Sequence, residues 1–170
     1  MQITQIDNFL EEPTQVYERC KKLPFYSLKQ FNKKFNEKQS WPGVRTQSIP
    51  QVDKIIFETV VKSMMIYFKD LFQKDVPLEM YVHKRNKNVE NQDWMHTDHQ
   101  DGRLYTGLLY LSKTNLNSGT MFYNMKKQPI TDVKFVQNRM LLFDSRYLHS
   151  AYGHHNGRLN VTISIYGDNR

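Results

Sequence analysis

A single cysteine, Cys20, stands among 170 residues. An internal disulfide is thereby excluded, and with no CxxC pair so is a cysteine-based zinc site, which fits a reducing compartment or indifference to redox state. No stretch approaches the roughly 18 consecutive apolar residues of a membrane-spanning helix. The N-terminus, Met1-Gln-Ile-Thr-Gln-Ile-Asp-Asn-Phe9, lacks both the charged and the apolar regions of a secretory signal. The expectation is a soluble, intracellular, cytoplasmic protein with no membrane partner. Internal repeats, low-complexity tracts and long basic runs are also missing. The net charge of +7 is scattered over short pairs such as Lys21-Lys22 and Lys126-Lys127. That charge favours anionic company without choosing among nucleic acid, acidic protein and small dianion.

What is present suits one globular domain. The chain is 39% apolar and 24% charged, with 10 Phe, 10 Tyr and 2 Trp, enough to bury a core. Residues 1–76 read as helical support and loop, and residues 77–170 as a β core. Early acids and Pro13 open a short helix that runs to about Lys22, before Pro24. From Phe25 to Pro50 the pattern is irregular and reads as a long loop, ending in the turn-like Trp41-Pro-Gly-Val-Arg45-Thr46. After Pro50, Val52, Ile55, Ile56, Val60, Met64, Phe68, Leu71 and Phe72 recur at helical spacing and predict one main helix. Short β-prone runs follow, near 78–83, 104–111, 120–123, 133–136, 140–143 and 159–166. Helices first and many short strands after suggest an α+β, mainly-β chain whose strands close into a small barrel or double-sheet roll.

Chemistry concentrates in the second half. His96-Thr97-Asp98 lies just before a predicted strand, and in extended backbone residues i and i+2 point the same way about 6.6 Å apart. An imidazole and a carboxylate so placed can share one cation. His149, between two apolar strands, is a third candidate that a barrel can fold back opposite the pair. Two histidines and one carboxylate leave three metal positions open, which suits non-haem Fe(II) and oxygen chemistry. Arg158 opens the last strand, where its planar fork can hold a carboxylate by two parallel hydrogen bonds.

These residues, with the strand Tyr105-Thr-Gly-Leu-Leu-Tyr-Leu111, the turn Gly119-Thr-Met-Phe122 and the run Arg139-Met-Leu-Leu-Phe-Asp144, stand in the order found in the Fe(II)/2-oxoglutarate-dependent oxygenases. The chain resembles the prolyl 4-hydroxylase-like branch of that superfamily over roughly Leu78 to Tyr166. The resemblance implies a double-stranded β-helix, or jelly roll, with the N-terminal helices packed on one sheet. It implies that His96, Asp98 and His149 hold Fe(II) and that Arg158 binds the distal carboxylate of the co-substrate 2-oxoglutarate. With O2, such a dioxygenase hydroxylates a C–H bond and releases succinate and CO2, the favoured partner being a protein or peptide side chain such as proline. Two departures stand out: Ser118-Gly119-Thr120 replaces the usual Gly-Gly-Thr, and Arg158 stands where many prolyl hydroxylases have Lys.

Other residues compete for these roles. His99 and Asp101 form a second His-x-Asp, but they lead into a turn-like Gly-Arg, so His96 is preferred. His154 and His155 read as solvent-facing, and His83 as a packed or edge histidine. Tyr105 and Tyr110 differ by an odd number of positions, so only one of them can face the pocket and reach the co-substrate. Thr162 and Asn160 share the face of Arg158. Trp41 and Arg45 line a substrate entrance in one reading; in the other, Trp41 plugs the barrel and Arg45 pairs with a surface acid. Two further functions keep the same centre: oxidative demethylation of a nucleic-acid base, favoured by the positive charge, and a non-catalytic metal-binding jelly-roll module holding Zn(II).

Overall fold

Alternation of side chains decides the architecture from Leu78 onward. The computed structural model describes residues 2–36, 41, 43–72, 76–85, 94–99, 102–153 and 157–167. In chain order these form β1 (Ile3–Ile6), α1 (Pro13–Lys21), β2 (Tyr26–Ser27), α2 (Leu28–Phe35), β3 (Val44–Arg45), α3 (Ile49–Val52), α4 (Lys54–Tyr67), β4 (Leu78–Lys84), β5 (Arg103–Tyr110), β6 (Asn115–Tyr123), β7 (Pro129–Phe135), β8 (Arg139–Asp144), β9 (Leu148–Tyr152) and β10 (Leu159–Tyr166). Two antiparallel sheets result, one ordered β1-β8-β5-β10-β4-β3-β2 and one ordered β7-β6-β9. The protein is therefore mainly β, antiparallel and jelly-roll-like. Among the described residues no helix is long and apolar enough to cross a membrane.

Every second residue of the large sheet enters one of two cores. Met80 and Val82 of β4, Leu109 of β5, Met140 and Leu142 of β8, and Val161, Ile163 and Ile165 of β10 pack against Val16, Ile56, Val60 and Met64 of the helices. The intervening residues face the small sheet, where Tyr110, Phe122, Val133, Phe135, Leu141 and Phe143 form a second cluster. Apolar burial at about 25 cal/mol per Å2 drives both layers together.

The N-terminal half differs from the sequence expectation in two ways. The segment from Phe25 to Pro50 is not a loop throughout: it contains β2, α2 and β3. Helix α2 starts at a capping box in which Gln30 N–H donates to Ser27 Oγ at 3.3 Å and Ser27 N–H donates to Gln30 Oε1 at 2.9 Å. It ends at Asn36 in a left-handed conformation. The helix expected after Pro50 is interrupted, because Asp53 takes an extended conformation that ends α3 and caps α4 by accepting from Ile56 N–H at 3.1 Å. The same carboxylate receives Arg19 at 2.9 Å and so ties α1 to α4.

Asn138, in the β7–β8 turn with φ of 61°, fastens the N-terminal segment to the β core. Its side chain accepts from Leu10 N–H at 2.8 Å and donates to Leu10 O at 2.9 Å, all of it buried. Asn138→Ala should lower stability by about 2–4 kcal/mol, since it orphans two buried backbone groups and puts Ala in a left-handed turn. A denaturation midpoint unchanged from wild type would contradict this.

Candidate metal centre and its cavity

His96, Asp98 and His149 meet because main-chain pairing brings two distant segments edge to edge. His149 sits on β9, opposite Phe122 of β6. His96 forms an isolated antiparallel bridge with it: His96 N–H donates to His149 O at 3.0 Å and His149 N–H donates to His96 O at 2.9 Å. Asp98 N–H donates to Ser145 O at 2.8 Å, which fixes the second residue of the motif. The ligand-capable atoms of the three residues all lie within 4.8 Å of one another.

Both imidazoles are oriented alike. Nδ1 of His96 lies 2.9 Å from Trp94 O, and Nδ1 of His149 lies 2.9 Å from Tyr147 O. A carbonyl only accepts, so each Nδ1 carries the proton and each Nε2 lone pair is left to ligate. The two Nε2 atoms lie 3.7 and 3.5 Å from the two carboxylate oxygens of Asp98. Burial pushes the His149 imidazole below its ordinary value, with Asp98 opposing, and a neutral ring is the ligating form. His99 is not part of this group; its Nδ1 lies 3.1 Å from Arg103 O. Asp101, His154 and His155 lie outside the described residues.

The centre opens into a cavity of about 470 Å3. Its floor is the face of the large sheet that the helices do not cover: Asn160, Thr162, Ser164 and Tyr166 from β10, with Arg158 just before that strand, and Glu79, Tyr81 and His83 from β4. Arg158 is 4% exposed. Its Nη1 donates to Gly119 O at 3.2 Å, and its guanidinium carbon lies 4.7 Å from the Phe135 ring centre and 5.2 Å from that of Tyr110. A Cβ at position 119 would collide with Val133 O, so glycine is what lets this carbonyl approach. Burial pushes the Arg158 guanidinium down, with Tyr110 opposing. Arg158 Nε is buried and has no acceptor among the described residues. A wall-mounted cation with a spare donor is what an acidic ligand would complete, so the residues present fit a metal ion together with a carboxylate co-substrate.

Tyr110 and Tyr105 separate as their parity requires. Tyr110 is fully buried beside Arg158, its hydroxyl 2.6 Å from Thr120 Oγ1. Tyr105 is the correction: it packs on the helix-side core and lines a separate groove with Tyr147 and Asp144, so it cannot reach the cavity. Thr162 faces the cavity and accepts from Asn160 Nδ2 at 3.2 Å. Trp41 and Arg45 both line the cavity and are 5% and 6% exposed. Arg45 is therefore not a surface residue, and its guanidinium carbon lies 3.5 Å from the Trp41 ring centre.

Sequence reasoning missed Arg103 and the β4 contribution. Arg103 places Nη1 3.8 Å from Asp98 Oδ1 and donates from Nη2 to Tyr166 Oη at 3.4 Å, steadying the carboxylate from behind. His83 is packed in the cavity wall on β4, outside the His96, Asp98 and His149 group; burial first, then Arg45, pushes it down to about 3. The signal for the β4 set was available, since Tyr81 and His83 alternate with the core residues Met80 and Val82. His83 is thus neutral when folded but takes a proton below about 6.5 when unfolded. Stability that is full above that value should fall as pH drops from 6.5 toward 3, and His83→Gln should flatten the fall. Denaturation midpoints for the two proteins that run parallel across this window would contradict it.

Comparisons with known proteins bear on the fold. The model of DUF6445, a family of unknown function, matches residues 1–134, a span that includes His96 and Asp98 but stops short of His149 and Arg158. No curated protein matches the chain by sequence. Among solved structures, the chain is similar to a prolyl-4-hydroxylase from Pseudomonas putida, with 14% identity and a TM-score of 0.66 over 98% of this chain and 92% of that one. It is similar to HygX from Streptomyces hygroscopicus, solved with nickel and 2-oxoglutarate bound, with 12% identity and a TM-score of 0.70 over 98% and 83%. It is also similar to a prolyl hydroxylase from Trichoplax adhaerens in complex with a hypoxia inducible factor peptide, with 13% identity and a TM-score of 0.57 over 96% and 83%. The fold is that of the prolyl 4-hydroxylase-like 2-oxoglutarate and Fe(II) oxygenases.

Proposed function

The chain belongs to DUF6445, a family of unknown function, and from that premise we propose that it is an Fe(II)- and 2-oxoglutarate-dependent dioxygenase that hydroxylates a C–H bond. The observation that carries the reading is the pair of imidazoles with protonated Nδ1 and free Nε2, facing one carboxylate, at the mouth of a cavity with a buried arginine. In this reading the two sheets form a double-stranded β-helix. His96, Asp98 and His149 would hold the iron, and three protein ligands leave positions for co-substrate and O2. The bound iron and 2-oxoglutarate supply the oxidation, in which 2-oxoglutarate, O2 and R–H become succinate, CO2 and R–OH.

The chain's own residues position and shield. Arg158 would take the distal carboxylate of 2-oxoglutarate through its unpartnered Nε edge, while Phe135 and Tyr110 hold the guanidinium from one side and Gly119 O fixes Nη1. Arg103 would keep the Asp98 carboxylate aimed at the metal. Phe143 and Phe122, with ring centres 4.9 and 6.0 Å from that of His149, exclude water behind the centre. A protein or peptide side chain, proline included, is the substrate class supported by the fold neighbour that holds a peptide.

Anaerobic addition of Fe(II) and 2-oxoglutarate should give the weak visible charge-transfer band of the chelate, and His149→Ala should abolish it. Arg158→Met should keep iron binding while raising the 2-oxoglutarate concentration needed for half-maximal succinate release by roughly 30-fold or more, the usual effect of truncating one member of a buried charge pair. A band that survives His149→Ala, or an unchanged requirement in Arg158→Met, would defeat this reading.

A further inference from the structure

One acid in the cavity stands apart from the three clustered residues. Glu79 of β4 lines the cavity opposite Ser164 of β10, and it accepts a hydrogen bond from Tyr166 Oη at 2.6 Å. A phenol has one proton to give, and Tyr166 gives it to Glu79 in a short, charge-assisted contact. Toward Arg103, whose Nη2 lies 3.4 Å away, the same oxygen can therefore only accept. Glu79 sets the polarity of Tyr166, and Tyr166 holds Arg103.

Arg103 reaches that place through an irregularity in β5. Tyr105 packs on the helix-side core, and strict alternation would send Arg103 to the same side. The register with β10 shifts instead: Ile165 pairs with Tyr105 and Tyr166 with Arg103, so Leu104 has no counterpart on β10. This one-residue bulge turns Arg103 onto the cavity face beside Tyr166.

The guanidinium then stops short of its acid. Arg19 with Asp53, Arg139 with Asp7 and Arg146 with Asp144 each make a contact at 2.9 Å. Arg103 Nη1 stays 3.8 Å from Asp98 Oδ1, although the two side chains are only 19% and 18% exposed and a closed pair gains strength away from water. A two-pronged pair would occupy both Asp98 oxygens, which are the atoms 3.7 and 3.5 Å from Nε2 of His96 and His149.

We propose that Glu79 and Tyr166 form a tether that holds Arg103 back from Asp98 and so keeps the carboxylate available to a divalent cation. Glu79 makes no hydrogen bond or ion pair with His96, Asp98 or His149 and acts on them through Tyr166 and Arg103, as a positioning residue. The tether rests on the metal-binding part of the oxygenase reading alone, and neither co-substrate nor reaction enters it.

Mn(II) titrated into the full-length protein without co-substrate, and followed by the electron paramagnetic resonance of the free ion, reads the tether as an affinity. Glu79→Ala and Tyr166→Phe should each weaken Mn(II) binding by roughly tenfold or more, the usual effect of removing a group that supports a metal ligand. Glu79→Gln still accepts from Tyr166 and should stay within about threefold of wild type. Arg103→Met should still bind the ion, and adding Glu79→Ala to it should cost nothing further, because the competing guanidinium is gone. If Glu79→Ala unfolds the ion-free protein, Tyr166→Phe removes a single oxygen and carries the same expectations with and without Arg103. Wild-type affinity in Glu79→Ala and Tyr166→Phe, an equal loss with and without Arg103, no recovery in Glu79→Gln, or absence of binding in Arg103→Met would overturn the tether and leave the oxygenase reading in place. A wild-type protein that takes up no Mn(II) would remove that reading's metal centre and the tether with it.

Discussion

Everything in this protein depends on two strands, β4 and β10, that are apolar on one face and polar on the other. Val161, Ile163 and Ile165 secure the helices, and between them Asn160, Thr162 and Ser164 are delivered to the opposite side without any further device. The two-residue period of extended backbone makes those assignments inseparable: a slip of one residue would bury the polar row under the helices and empty the cavity of its donors. Core packing thus fixes the cavity's chemistry, and stability and site are set by the same register.

The cluster of His96, Asp98 and His149 uses a different device. Its residues are gathered by single main-chain contacts at a sheet margin, where His96 bridges β9 and Asp98 reaches Ser145. The small sheet contributes His149 and the segment before β5 contributes His96 and Asp98. The carbonyls that set the imidazole tautomers come from Trp94 and Tyr147, each two positions before its histidine. Orientation of the donors is therefore local, while their convergence is a property of the whole roll.

The sequence was legible wherever periodicity spoke. The β10 alternation predicted that Arg158, Asn160 and Thr162 share a face, and the His-x-Asp spacing predicted two convergent donors. Parity alone separated Tyr105 from Tyr110 but could not say which faced inward; that depended on the helices covering the side of Leu109. Helix α2 was hidden because Lys, Asn and Gln dominate its composition and only Phe31 and Phe35 mark its buried side, although Ser27 and Gln30 announce its start. Strand β9, Leu-His-Ser-Ala-Tyr, lacks a β-branched run, so His149 was found through its chemistry and not through its element. Arg103 could not be read at all, since its partner Tyr166 lies at the far end of the chain and only sheet pairing joins them.

The reciprocal His96–His149 bridge couples two events usually considered apart. A cation binding across the two rings would also pin the edge of β9 to the strip carrying Trp94 and Asp98, so ion capture and local zippering of the backbone would proceed together. Amide hydrogens at positions 96 and 149 would then exchange with solvent more slowly as the ion becomes available, and the mouth of the roll would stiffen from its rim inward.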